Sequence, residues 1–166
     1  MSTEVAQAGE EVGDYVDSDN FERSAHIDTD GNFSENIGSR TIKTVTATTG
    51  PYASLPSITF KTKKLSNHVD LQIPPYTSTN ANATATTAIT FPVVVAAHDR
   101  PRADKYFPIV LVGTNPTPTN ATPLIGYVRV VYDTGNLVIQ IPAGSTWTNG
   151  QVAGWYGVDI GWDCKY

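Results

Sequence analysis

Apolar residues in this chain recur at every second position far more often than at the three- and four-residue spacing of a helix. The clearest run lies at the end. Tyr156, Val158, Ile160, Trp162 and Cys164 alternate with Gly157, Asp159, Gly161 and Asp163, the period of a strand with one buried and one wet face. Comparable runs predict strands at Ile42–Thr49, Ser57–Lys63, His68–Ile73, Ala88–Ala97, Tyr106–Val112, Tyr127–Tyr132, Leu137–Ile141 and Trp155–Cys164. Turn chemistry separates them at Gly50-Pro51, Pro74-Pro75, His98–Arg102, Asn115–Pro118 and Ala143–Asn149. Asp133-Thr134-Gly135-Asn136, flanked by β-branched and aromatic runs, reads as a hairpin turn, because Gly supplies the positive φ such a turn needs. Ile27 to Phe33, with Asp30-Gly31 between, repeats that signal near the N-terminus. The polar stretch Tyr76–Thr87 reads as an exposed loop. No helix of ordinary length is predicted. The pattern therefore specifies an all-β fold: an antiparallel β-sandwich, jelly-roll-like, with an extended N-terminal arm.

The arm is set apart by charge. Residues 1–40 hold ten of the sixteen acidic side chains against two arginines, net −8, while the remaining residues hold six Asp against nine Lys or Arg, net +3, and no Glu. Val12, Tyr15, Val16 and Phe21 are the sizeable apolar groups of residues 6–24. They are too few to offset the entropy of ordering such a segment alone. Residues 1–40 are thus expected to be an acidic anchoring arm with a short hairpin, and residues 41–166 the sandwich body. The arm would bury Val12, Tyr15, Val16 and Phe21 against another molecule.

Composition removes several function classes. No run approaches the ~20 apolar residues of a membrane span, and the first residues have neither a basic start nor an apolar core, so synthesis in the cytoplasm without a signal peptide is expected. The net charge of −5 and scattered basic residues argue against nucleic acid. A lone Cys164 permits no internal disulfide and no multi-Cys zinc site. His26, His68 and His98 lack the short spacing of a metal site, and Asp28-x-Asp30-x-Asn32 lacks the later ligands of a calcium loop. No nucleophile elbow, phosphate loop or dinucleotide fingerprint is present, and Asp159 with Asp163 is the only short-spaced carboxylate pair of the body. No catalytic residue, cofactor or metal is expected. Candidate surface or glycan contacts are Trp147 and Trp155, and the charged loop carrying His98, Arg100 and Arg102, while Trp162 falls on the apolar face and reads as core.

The last eighty residues have a recognisable cadence. Gly126-Tyr127-Val128-Arg129-Val130, then Asp133 to Ile139, then Trp147, then Gly154-Trp155-Tyr156-Gly157-Val158-Asp159-Ile160-Gly161-Trp162 run as strand, Gly-Asn hairpin, strand, Trp loop and aromatic closing strand. This order resembles the terminal β-sandwich of bacteriophage fibre, spike and capsid decoration proteins, and Phe91–Val95 with Tyr106–Val112 is similar to their central strand pair. The resemblance implies a homotrimer and a place on the virion. The major capsid protein or another virion component would hold residues 1–40. Fibre shafts of heptads or β-repeats are absent, so the resemblance points to a capsid decoration protein or short spike, with a receptor- or glycan-binding tail tip as the alternative.

Overall fold

The alternating runs do become strands. The computed structural model describes residues 11–16, 21–27, 33–79, 88–115, 123–148, 150 and 152–164, and side chains from residue 40 onward. A first six-stranded sheet has the order β1-β2-β3-β4-β5-β14, with β1 (Glu11–Val16), β2 (Phe21–Ile27), β3 (Phe33–Thr46), β4 (Ser57–Leu65), β5 (His68–Ile73) and β14 (Val158–Asp163). A second has the order β6-β13-β8-β10-β11-β7, with β6 (Tyr76–Thr79), β13 (Val152–Trp155), β8 (Lys105–Val112), β10 (Ile125–Val130), β11 (Leu137–Gln140) and β7 (Ile89–Phe91). A two-residue ladder joins β9 (Thr114–Asn115) to β12 (Thr146–Trp147). All these pairings are antiparallel. The one helical element among the described residues is a short 3₁₀ turn, Ala97–Asp99. The fold is an antiparallel β-sandwich.

Its core is the sum of the inward halves of the alternating strands. Ile58 and Phe60 of β4, Val69, Leu71 and Ile73 of β5, and Ile160 and Trp162 of β14 face Ile109 and Leu111 of β8, Val128 and Val130 of β10, and Leu137 and Ile139 of β11. An aromatic chain bridges the two layers. Phe60 meets Phe91 edge-on at 5.2 Å between centroids, Phe91 meets Trp155 at 6.1 Å, Trp155 meets Tyr76 at 5.2 Å and Tyr76 meets Tyr52 at 5.6 Å. Such pairs add about 0.5–1.5 kcal/mol each beyond the area they bury. The Tyr52 hydroxyl donates to the Ala153 carbonyl at 3.2 Å, and burial holds that phenol well above its ordinary pKa.

Three expectations need correction. Trp155–Cys164 is not one strand. It breaks at Tyr156-Gly157 and passes from the second sheet to the first, which leaves Tyr156 exposed and turns Trp155 inward. Gly157 permits the passage, since a Cβ there would lie 2.9 Å from Pro75 Cδ. The run Ala88–Ala97 pairs only over Ile89–Phe91. Pro92 and a left-handed Val93 (φ 46°) end it, with Val93 N donating to Asn136 Oδ1 at 2.9 Å and Lys43 Nζ donating to the Val93 carbonyl at 2.6 Å. Finally, Tyr76–Thr79 is a strand on β13 rather than loop, while the rest of that polar stretch, residues 80–87, lies outside the described residues.

The N-terminal segment is partly strand as well. Ile27 pairs with Phe33 across the expected hairpin, whose turn lies outside the described residues, and β1 and β2 continue the first sheet. The ladder thus runs straight through residue 40, where the charge changes.

Trp155 fixes the corner at which the chain changes sheets, donating from Nε1 to the Pro74 carbonyl at 3.0 Å. Trp155→Ala should cost about 3–5 kcal/mol by cavity formation, and Trp155→Phe about 1–2 kcal/mol through the unsatisfied Pro74 carbonyl. Urea denaturation followed by circular dichroism will measure both.

Candidate interaction surface

Period-two alternation that fills the core also writes the opposite face of the first sheet. Cross-strand register aligns Ile42, Lys61, Gln72 and Asp159 in one row, and Arg40, Lys63, Asp70 and Gly161 in the next. The result is a column of cations beside a column of carboxylates. Ile42, 63 % exposed, lies among the cations. Together they line a shallow depression of about 580 Å³. Farther along β3 and β4 the same face becomes a hydroxyl ladder, with Thr44 and Thr59 Oγ1 atoms 2.8 Å apart and Thr46 donating to Ser57 at 3.2 Å. Open, polar and rich in both donors and acceptors, this face suits a hydrogen-bonding ligand.

Where β5 and β14 end, His68 stands between two carboxylates. Its Nδ1 lies 3.0 Å from Asp163 Oδ1 and its Nε2 3.4 Å from Asp70 Oδ1. Gly161 makes this possible: a Cβ there would come within 2.8 Å of Asp70 Oδ1 and 2.9 Å of His68 Nε2. The hydrogen bond to Asp163 raises the His68 pKa above 6.5, desolvation opposes it, and the charges of Asp70 and Asp163 add to the rise. Asp159 and Asp163 are four residues apart on one strand, hence roughly 13 Å at the strand rise. That exceeds the ~5–9.5 Å separating paired carboxyls in sugar hydrolysis.

The residues singled out in sequence fall in unlike places. Trp147 and Trp155 are 1 % and 0 % exposed and cannot stack on a ligand. Trp147 is expected at the surface because its loop is rich in Gly, Ser and Thr, and Trp155 because it opens a strand. Instead Gly113, at φ 71°, turns β9 back onto β12, with Thr148 N donating to the Gly113 carbonyl at 2.9 Å, and Trp147 closes the core there. Trp162 is core as expected. The charged loop divides. His98 and Arg102 are exposed, but Arg100 is half-buried and its Nη1 donates to the Asp133 carbonyl, clamping the β10–β11 turn. Asp99 is buried. It faces Lys64 Nζ at 3.1 Å and His98 Nε2 at 3.3 Å, and its carbonyl accepts from Trp162 Nε1 at 2.8 Å. Asp104 accepts from Tyr132 N at 3.0 Å. Of the arm residues, Tyr15 pairs with Arg23, Val16 with Glu22 and Phe21 with Ser39, and Val12 lies at a register shift. Their side chains lie outside the described ones.

Sequence reasoning missed the depression entirely. Its cations and carboxylates come from strands far apart in the chain, and only the register brings them together. Among the described residues, no group of three or more His, Cys, Asp or Glu could hold a metal ion, and no helix is long and apolar enough to cross a membrane.

No family model matches this chain, and no curated protein matches it. Among solved structures it is similar to a reovirus attachment protein, sigma1, solved in complex with alpha-2,3-sialyllactose. The identity is 10 % and the TM-score 0.46, over 100 % of this chain and 82 % of that one. At that identity and score the likeness transfers nothing further.

His68 offers a direct check of the surface geometry. Its proton resonances should titrate with a midpoint above 6.5, and Asp163→Asn should lower it. Because the folded value is the raised one, this contact stabilises fully below pH 6.5 and is lost as pH rises through the folded value. Asp163→Asn should therefore reduce the fall in thermal midpoint over that window. An unmoved His68 midpoint in the variant would show that the hydrogen bond is not formed.

Proposed function

We propose that this chain is a non-enzymatic structural protein of a virion surface, of the phage capsid decoration or short-spike type, attached through its acidic N-terminal segment. The observation that carries the reading is the division of charge: net −8 over residues 1–40 against net +3 over the sandwich. A sandwich stable on its own core has no internal need for so many carboxylates in one terminal segment. Their evident use is contact with a basic surface elsewhere. Isolated exposed ion pairs contribute only about 0–1 kcal/mol each, so fastening would come from several arms of one assembly acting together. The open, polar outer face of the first sheet is then free to meet solvent or host.

Purified protein should bind particles lacking it, with attachment weakening as salt rises. Replacing Glu10, Glu11, Asp14, Asp17 and Asp19 by their amides should abolish co-sedimentation while the circular dichroism spectrum stays unchanged. Attachment that survives neutralisation would refute anchoring by charge.

A second reading is a receptor-binding tip. Its support is the polar depression lined by Arg40, Lys61, Gln72 and Asp159, which offers donors and acceptors of the kind glycans use. Under that reading the sandwich alone binds a glycan array or host cells, Lys61→Ala with Lys63→Ala reduces binding at least tenfold, and particle attachment is not the governing property.

A further inference from the structure

Register crowds positive charge at one side of the depression on the first sheet. Arg40 of β3 stands directly opposite Lys63 of β4, and Lys61 lies two residues along the same strand on the same face. Directly opposed residues have Cβ atoms about 4.5–5.5 Å apart, and like charges so placed destabilise a pair of strands. Asp70 faces Lys63 from β5, and Asp159 lies beyond Gln72 on β14. Lys61 is thus two strand spacings, about 10 Å, from Asp159. The lining holds three cations and two carboxylates, the cations on β3 and β4 and the carboxylates on β5 and β14. Positive charge is therefore concentrated where β3 meets β4, and all five side chains are exposed.

The same strip continues as hydroxyls. From Arg40 the outward positions of β3 run through Ile42 to Thr44 and Thr46, and those of β4 from Lys63 through Lys61 to Thr59 and Ser57. Six residues of strand span about 20 Å. Thr44 and Thr59 share one hydrogen bond, and Thr46 and Ser57 another. A hydroxyl carries one donor and two acceptor sites, so each pair keeps capacity for a further partner. Ile42 places an exposed apolar contact between the charged end and the hydroxyl end.

We infer that this strip binds an acidic oligosaccharide. Arg40, Lys61 and Lys63 hold a carboxylate or sulfate group, and the sugar rings that follow lie along β3 and β4 over the Thr and Ser hydroxyls. This rests on the receptor-binding reading of the face and gives it a ligand class. An arginine fork takes a pair of anionic oxygens in a bidentate contact, and lysines add charge beside it. Sugar hydroxyls both donate and accept, so Asp70, Asp159 and Gln72 on the far side of the depression serve them as partners. A nucleic acid or an acidic peptide carries charge at every unit and is repelled by those carboxylates. The lining also contains no aromatic ring on which bases could stack. Contact over such a face stays partly wet, and bridging water is nearly as good as a direct hydrogen bond.

The full chain applied to an array of neutral, carboxylated and sulfated oligosaccharides tests this. Binding should be confined to the acidic members and weaken as salt rises, and the two acidic arms tell which group the cations hold. Arg40→Gln with Lys61→Gln should lower it about tenfold or more. Lys105→Gln, at an exposed cation of the second sheet, should leave it unchanged. Thr44→Val with Thr59→Val should weaken a long acidic oligosaccharide about three- to tenfold. The same variant should bind a single acidic sugar, titrated by NMR, as wild type does, a signature that general charge attraction does not give. Circular dichroism should be the same for all the variants. Equal loss from Lys105→Gln, equal loss of long and single sugars in the valine variant, or a preference for polyglutamate or an oligonucleotide overturns the proposal. Binding of neutral sugars alone overturns it and leaves the receptor-binding reading standing, whereas an array that stays blank sinks both.

Discussion

The sandwich is built on one antiparallel ladder that bends without slipping. Register between β5 and β14 runs from His68 against Asp163 to Ile73 against Val158, and register between β6 and β13 resumes at Tyr76 against Trp155 and ends at Thr79 against Val152. The two are a single pairing, folded over a corner made by Pro74-Pro75 on one side and Tyr156-Gly157 on the other. A one-residue slip would exchange inner and outer faces of four strands at once. Trp155 guards against this, because its indole satisfies the Pro74 carbonyl and its ring joins the aromatic chain between layers. Close approach adds a second safeguard: a Cβ at Gly154 would fall within 1.8 Å of the Tyr76 carbonyl oxygen. The corner is thus fixed by packing, hydrogen bonding and the absence of a side chain together.

Much of this was legible from period two alone. His68–Ile73 was read with its observed bounds, and Ser57–Lys63 and Tyr106–Val112 nearly so, because each alternates cleanly between turn residues. The corner was not legible. Tyr156 to Cys164 alternates as one strand would, and only the neighbouring strands reveal that Trp155 points to the core of one sheet and Val158 belongs to the other. Burial of Trp147 was hidden for a different reason. Loop composition reports the backbone's need for Gly and Ser, and says nothing about where a large ring in that loop will lie. The polar sites were hardest. The Lys64–Asp99 and His68–Asp163 pairs join residues 35 and 95 positions apart, a closure that local pattern does not record.

Buried polar contacts here serve position more than stability. Lys64, Asp99 and Trp162 tie the 3₁₀ turn to the first sheet, and breaking a buried pair is costly although forming it gains little. Their effect is to hold Ala97–Asp99 against β14, which leaves His98 and Arg102 on an otherwise immobilised loop. Arg100 and Asp104 do the same for the β10–β11 turn. A loop whose charges are spent on its own anchoring has few left for a ligand, which moves the weight of any polar recognition to the outer face of the first sheet.

Edges decide which surfaces can carry association. An unpaired strand edge invites another chain, and sheets blunt it with shortness, bulges, charge or cover. Here β7 has three residues and β6 four. The β14 side is covered at its end, where Cys164 bridges to Pro101. β1 breaks register between Glu11 and Gly13 and carries Glu11 and Asp14 along its length. Edge-to-edge growth is opposed at each of these positions. Of the two outer faces of the sandwich, one is striped with opposite charges and well hydrated, and desolvating it would cost more than it returned. Tyr106 and Tyr127 dominate the other, where removing water is favourable.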